Sequence, residues 1–275
     1  MKVSQPKRSR WLYLGLGLML TALILFSILP LATSIWQQSQ TNSSTGVTSE
    51  AVKRLENQAL GYQMILEREP GNLNALQGLL ETRLQQGDLT KALIPLEQLA
   101  QLQPEQIQYS ILLAQSKQQL QDEEGAARIY RNLLAKQPDS LPALKGLSDL
   151  YLAQNRPQEA IATVQAAITQ SIQAQGNRSD LKNPTNITSL QLLLGEIYLQ
   201  QERPQEAIAL YTAAHQLNPQ DFRPVLAQAI VLKQQKQDSQ AKPLFDKAVG
   251  LAPVEYKEAI KQMAVSTPAA STPKH

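Results

Sequence analysis

Two kinds of apolar patterning divide the chain. Between Trp11 and Ser49 no side chain is charged, and the stretch Trp11–Trp36 (WLYLGLGLMLTALILFSILPLATSIW) is predominantly apolar. About 20 such residues suffice to cross a bilayer, so the pattern predicts a transmembrane helix over residues 11–36. Trp11 and Tyr13 stand at one end and Trp36 at the other, where aromatic rings rest at the two membrane interfaces. Lys2, Lys7, Arg8 and Arg10 precede the span, and no basic residue follows it before Lys53. The positive-inside bias therefore predicts a basic cytoplasmic tail over residues 1–10. It places the rest of the chain across the membrane, in a periplasm or thylakoid lumen. A cleaved signal peptide would carry a shorter apolar region, of about 7–15 residues, and a small-x-small site; the PLATS segment at 30–34 has no A-x-A. Residues 37–50, small and polar, read as a flexible linker.

Beyond residue 50 apolar positions recur at helical spacing, in segments closed by prolines. Pro70, Pro104 and Pro138 are 34 residues apart, as are Pro219 and Pro253. The interval from Pro138 to Pro219 is two such periods plus 13 residues, an insertion that falls within residues 170–187. A direct self-match supports the period: Tyr151–Ile168 (YLAQNRPQEAIATVQAAI) and Tyr198–His215 (YLQQERPQEAIALYTAAH) agree at 12 of 18 positions. In both, Arg-Pro-Gln-Glu places Pro and Glu in a first helical turn, where each is favoured.

A period of 34 with this spacing of small and large residues resembles the tetratricopeptide repeat (TPR). On the TPR frame, position 20 is Ala92, Ala126, Ala160, Ala207 and Ala241, and position 24 is Leu96, Tyr130, Val164, Tyr211 and Phe245, with Tyr62 in a preceding half-unit. Position 27 is Leu99, Leu133, Ala167, Ala214 and Ala248. Position 4, often Trp in the family, departs from it at Leu76, Ser110, Leu144, Gln191 and Val225, and Gln228 weakens position 7 of the last unit. The resemblance implies an all-α fold, a right-handed TPR superhelix of antiparallel helix pairs. Small residues let paired backbones approach, and no pair can bury its apolar face alone. The expected boundaries are a half-unit at 51–72, units at 73–106, 107–140, 141–187 (with the insertion), 188–221 and 222–253, and a cap at 254–263. Residues 264–275 are expected to be disordered.

The resemblance also implies a groove lined by the first helix of each unit. The side chains at its groove positions are Asn74, Gln77, Glu81 and Gln85, then Gln108, Gln115, Gln118 and Gln119, then Lys145 and Asp149, Glu196 and Gln200, and Arg223, Lys233 and Gln234. This lining is mostly amide, which can donate to and accept from a peptide backbone. It lacks the paired Lys and Asn with which some TPR domains hold a chaperone's terminal carboxylate.

Charge and composition narrow the functions further. The net charge is +3 from 26 basic and 23 acidic residues, but four of the basic ones lie in the first ten positions, leaving the rest at −1. A nucleic-acid-binding body loses its electrostatic basis. There is no Cys, and the two histidines, His215 and His275, stand alone, so no cofactor or metal is expected. No phosphate loop, nucleophile elbow or HExxH occurs in the sequence. The expectation is a non-enzymatic, membrane-anchored scaffold or assembly factor whose partners are proteins or peptide segments, neither nucleic acid nor a small-molecule substrate. Secretion, cytochrome or photosystem biogenesis are the processes that layout suggests. The alternative is a cytoplasm-facing regulatory adaptor of a membrane complex.

Overall fold

The computed structural model describes residues 47–175 and 184–266, and every regular element among them is helical. The helices are α1 (Val47–Arg68), α2 (Leu73–Gln85), α3 (Leu89–Leu102), α4 (Ile107–Gln119), α5 (Glu123–Lys136) and α6 (Leu141–Ala153), followed by α7 (Pro157–Gln175), α8 (Pro184–Gln200), α9 (Pro204–Leu217), α10 (Phe222–Gln234), α11 (Asp238–Leu251) and α12 (Val254–Val265). The span expected over residues 11–36, its basic tail and most of the linker lie outside the described residues. Among those described, no helix is long and apolar enough to cross a membrane.

The described chain falls into two compact units, one ending at Leu150 and one beginning at Tyr151. In the first, α1 packs on α2, α2 on α3, α3 on α4 and α4 on α5. In the second, α7 packs on α8, α8 on α9, α9 on α10, α10 on α11 and α11 on α12. Connections of a few residues force each helix to run back along its predecessor, which makes the pairs antiparallel hairpins.

Small and large residues alternate where the helices meet. Ala92, Ala126, Ala160 and Ala207 are fully buried, and Ala241 is 2% exposed. In the first unit Leu76, Leu80, Ala92, Leu96, Leu99 and Leu113 form one core cluster. Val225, Leu226, Ala229, Ala241, Phe245 and Ala248 belong to another in the second. The tyrosines need glycine opposite them. A Cβ built on Gly146 would lie 2.3 Å from Cζ of Tyr130, and one on Gly195 would lie 2.3 Å from Cε1 of Tyr211.

Each turn between paired helices uses one geometry. Gly87, Gln121, Asn155, Glu202 and Lys236 all have φ between 59 and 71°, the left-handed conformation that commonly ends a helix. In each turn the next residue's N–H donates to a carbonyl five residues back: Asp88 to Arg83, Asp122 to Lys117, Arg156 to Tyr151, Arg203 to Tyr198 and Gln237 to Leu232. That 6→1 bond belongs to the Schellman motif and satisfies a helix-end carbonyl. The second helix then starts at once. Asp88 Oδ1 accepts from Lys91 N (3.0 Å), and Asp122 Oδ1 from Gly125 N (2.9 Å).

At the other connections, Pro70, Pro104, Pro138, Pro219 and Pro253 each stand two residues past the last residue of a helix. Pro95 and Pro243 instead lie inside α3 and α11, each removing one intrahelical hydrogen bond. Two ends differ from the sequence expectation. α1 begins at Val47 with Glu50 in its first turn, where an acidic side chain favours the helix. α12 runs on to Val265 because Lys233 Nζ donates to the carbonyls of Met263 (2.6 Å) and Ala264, closing its last turn.

Candidate interaction surface

In the first unit, the first helices of successive hairpins carry their polar residues in stripes. Asn74, Gln77, Glu81 and Gln85 lie at i, i+3, i+7 and i+11 of α2, and all four are exposed. On α4, Gln108, Gln115 and Gln119 repeat the pattern and are exposed, whereas Gln118 is half-buried. Such spacing places each set on one helix face. The buried faces of the same helices hold Leu76 and Leu80 on α2 and Leu113 on α4, so the stripes are the sides the core leaves free.

Two hydrogen bonds tie the stripes into the scaffold. Gln77 Nε2 donates to Tyr109 Oη (2.8 Å), linking α2 to α4. Tyr130 Oη donates to Gln118 Oε1 (3.0 Å). Burial, with the nearby Asp149 charge adding to it, pushes the Tyr130 phenol up to about 12, so it remains a donor. On α6, Lys145 Nζ pairs with Asp149 Oδ2 at 3.3 Å. Burial raises the Asp149 carboxyl above the usual range, against the opposing pull of Lys145. Gln85 Nε2 donates to Glu81 Oε1 (3.1 Å), a pair on one exposed face. Asn74, Gln108, Gln115 and Gln119 stand exposed with no hydrogen bond between described side chains.

The second unit treats its candidates differently. Glu196 is 5% exposed, Gln200 and Gln234 are half-buried, and Leu192–Leu194 and Ile197–Leu199 beside them on α8 are buried. Arg223 is held by Asp221 through Nη2–Oδ2 (2.6 Å) and Nε–Oδ1 (3.0 Å). Lys233 closes α12 and lies 5.6 Å from the Phe245 ring centroid. Of the predicted groove residues among those described, the ones that stand free are therefore on α2 and α4.

Several contacts were not read from the pattern. Arg156 stacks over the Tyr151 ring (4.8 Å) and pairs with Glu159 (2.9 Å). Arg203 does the same with Tyr198 (4.5 Å) and Glu206 (2.8 Å). The signal was present in the self-match, whose shared Tyr, Arg and Glu are these three partners. Arg83, 3% exposed, donates from Nη1 to Glu56 Oε2 (2.8 Å) and Gln86 Oε1 (2.8 Å). Its bond holds the Glu56 carboxyl below the usual range.

The tetratricopeptide repeat family pattern matches residues 119–171 and 198–263. Over those residues the chain reads as tetratricopeptide repeats. No curated protein matches it. Among solved structures, yeast Tom70 is similar at 16% identity with a TM-score of 0.51, covering 92% of this chain and 45% of that one; the likeness is one of fold. The chain thus spans less than half of the Tom70 chain. PilF from Pseudomonas aeruginosa is similar at 20% identity with a TM-score of 0.44, covering 70% and 88%. MamA is similar at 17% and 0.42, covering 66% and 96%. Repeats of this type are a protein-interaction scaffold; the stripes of α2 and α4 lie on the first helices of their hairpins, helices that precede or only reach the start of the matched residues.

Proposed function

We propose that this chain is a scaffold that holds client protein segments against the first helices of its repeats, in support of assembling a membrane complex. One observation carries the reading: α2 and α4 present exposed amide stripes that packing does not require, on the sides of those helices away from their buried leucines. Amide side chains suit a partner that offers backbone donors and acceptors together, as an extended segment or helix end does. The anchor rests on the uncharged apolar sequence of residues 11–36 and its basic flank. Anchoring would confine scaffold and client to one membrane and raise their effective concentration, so a modest affinity suffices.

The test compares the full chain, solubilised from its native membrane in mild detergent, with a variant carrying Asn74→Arg, Glu81→Arg and Gln115→Arg. Mass spectrometry of the co-purified proteins should find a client with the wild type that is lost from the variant, with helical circular dichroism unchanged. Identical sets of associated proteins would refute the reading. A C-terminal alkaline phosphatase fusion tests the topology separately: activity is expected, and its absence would place the repeats in the cytoplasm.

A further inference from the structure

A second surface lies in the first unit, on the face of α4 opposite its amide stripe. A groove of about 410 Å³ runs between α3, α4 and α5. Ala100, Leu113, Ile129 and Leu133 give it an apolar floor, and Arg128, Asn132 and Lys136 form one wall. These three stand at i, i+4 and i+8 of α5 and are exposed, so they rise along one face of the helix. Neither Arg128 nor Lys136 has an ion pair within 4.0 Å among the described residues, whereas the third cation of the groove, Lys117, is held by Glu97 (3.3 Å) and Asp122 (3.2 Å).

Comparison of the repeats shows that packing does not require this ladder. The places of Arg128, Asn132 and Lys136 are taken by Ala162, Ala166 and Gln170 on α7, by Ala209, Ala213 and Leu217 on α9, and by Ile94, Gln98 and Leu102 on α3. The groove has a counterpart as well. Lys117 and Glu97 pair where, one repeat-pair later, Tyr198 Oη accepts from Gln165 Nε2 (3.2 Å). There the Arg203 guanidinium stacks on the tyrosine ring; here a lysine stands in that place, on the rim of the groove.

We infer that this groove binds an acidic peptide segment of a partner protein, with carboxylates on Arg128 and Lys136 and apolar side chains on the floor. The inference shares with the scaffold reading only the premise that partners are proteins; its site is different. Two free cations on a body of net charge −1 fit a short acidic segment better than a nucleic acid, whose binding rests on many phosphate contacts. Eight helical residues separate the two cations by about 12 Å. An extended peptide covers that in about four residues, and residues i and i+4 of a strand point to the same side.

The probe is a fluorescein-labelled peptide of about twelve residues with two glutamates four apart and leucines between them, titrated with the full chain in detergent and read by anisotropy. Saturable binding is expected, weakening with added salt. The Arg128→Ala, Lys136→Ala double variant, at two exposed positions of α5, should bind at least about tenfold more weakly, each lost pair being charge-assisted. A double reversal, Arg128→Glu with Lys136→Glu, should prefer the same peptide with lysines for glutamates. Absence of binding to the wild type, or equal binding by the alanine variant with its circular dichroism intact, would overturn the inference. Substituting Gln115 and Asn74 should leave this binding unchanged. If those substitutions abolish it, the peptide occupies the amide stripes and this site is wrong while the scaffold reading stands; loss of co-purified clients bears on that reading alone.

Discussion

The five left-handed turns allow a prediction with opposing arms. Gly87 (φ 71°) adopts its conformation freely, but Gln121 (φ 64°) and Lys236 (φ 60°) do so with a Cβ. A side chain in that region costs roughly 1–2 kcal/mol. Glycine recovers this and gives back about 0.5–1 kcal/mol through the larger freedom of its unfolded chain. Gln121→Gly and Lys236→Gly should therefore each stabilise by about 0.5–1 kcal/mol. Neither side chain makes a hydrogen bond with another described residue that the change would forfeit, and the Schellman bonds of Asp122 and Gln237 come from the backbone. Gly87→Ala should destabilise by about 1 kcal/mol for the same reason. The two stabilised turns lie in different units, so their effects should add. Urea unfolding followed by circular dichroism measures all three, and the double variant should melt a few degrees higher. The reasoning fails if either glycine variant is less stable than wild type, or if Gly87→Ala is neutral.

Other predictions follow from packing and charge. Gly146→Ala drives a methyl into the buried Tyr130 ring and should destabilise by about 1–3 kcal/mol, measured by the same unfolding curves. Pro243 is exposed inside α11, and Pro243→Ala restores an intrahelical bond, so it should stabilise by up to about 3 kcal/mol. Hydrogen bonds from Arg83, Arg156 and Arg203 hold Glu56, Glu159 and Glu206 below the ordinary glutamate value of 4.5. The folded state therefore binds fewer protons than the unfolded one in that range, and stability is present above pH 4.5 and is lost as pH falls through the lowered values. Melting temperatures from pH 7 to 3 check this, and Glu56→Gln should flatten part of the decline. Burial, with Lys247 beside it, lowers the His215 imidazole below its usual 6.5. The neutral ring accepts from Lys247 Nζ (2.6 Å), so stability should also fall on acidification below pH 6.5, an effect that His215→Gln removes.

The hairpin repeat was legible because its cause is covalent and periodic. A proline two residues past a helix cannot continue it, and an alanine at a helix crossing cannot be enlarged, so both leave residues at fixed intervals. The turn geometry left a weaker trace, since Gly87 and Asn155 suit a left-handed residue but Gln121, Glu202 and Lys236 do not, and tertiary packing imposes the conformation on them. The candidate surface was half legible. Helical spacing placed Asn74, Glu81 and Gln115 on free faces; the pairing of Arg223 with Asp221, two residues before it, was open to a local reading, but nothing local to Lys233 shows that the end of α12 takes up its charge. The α5 groove was invisible because Arg128, Asn132 and Lys136 are ordinary solvated residues until the neighbouring helices give them a wall and floor.

The central claim is that the amide stripes of α2 and α4 meet a protein. A photo-crosslinking amino acid placed at Gln115 in the full chain, in its native cells, tests it most directly, with Ile94 as control, a side chain 63% exposed on α3. The account predicts a discrete protein adduct from position 115 that is absent from position 94. Equal labelling from both, or none from 115, would contradict it.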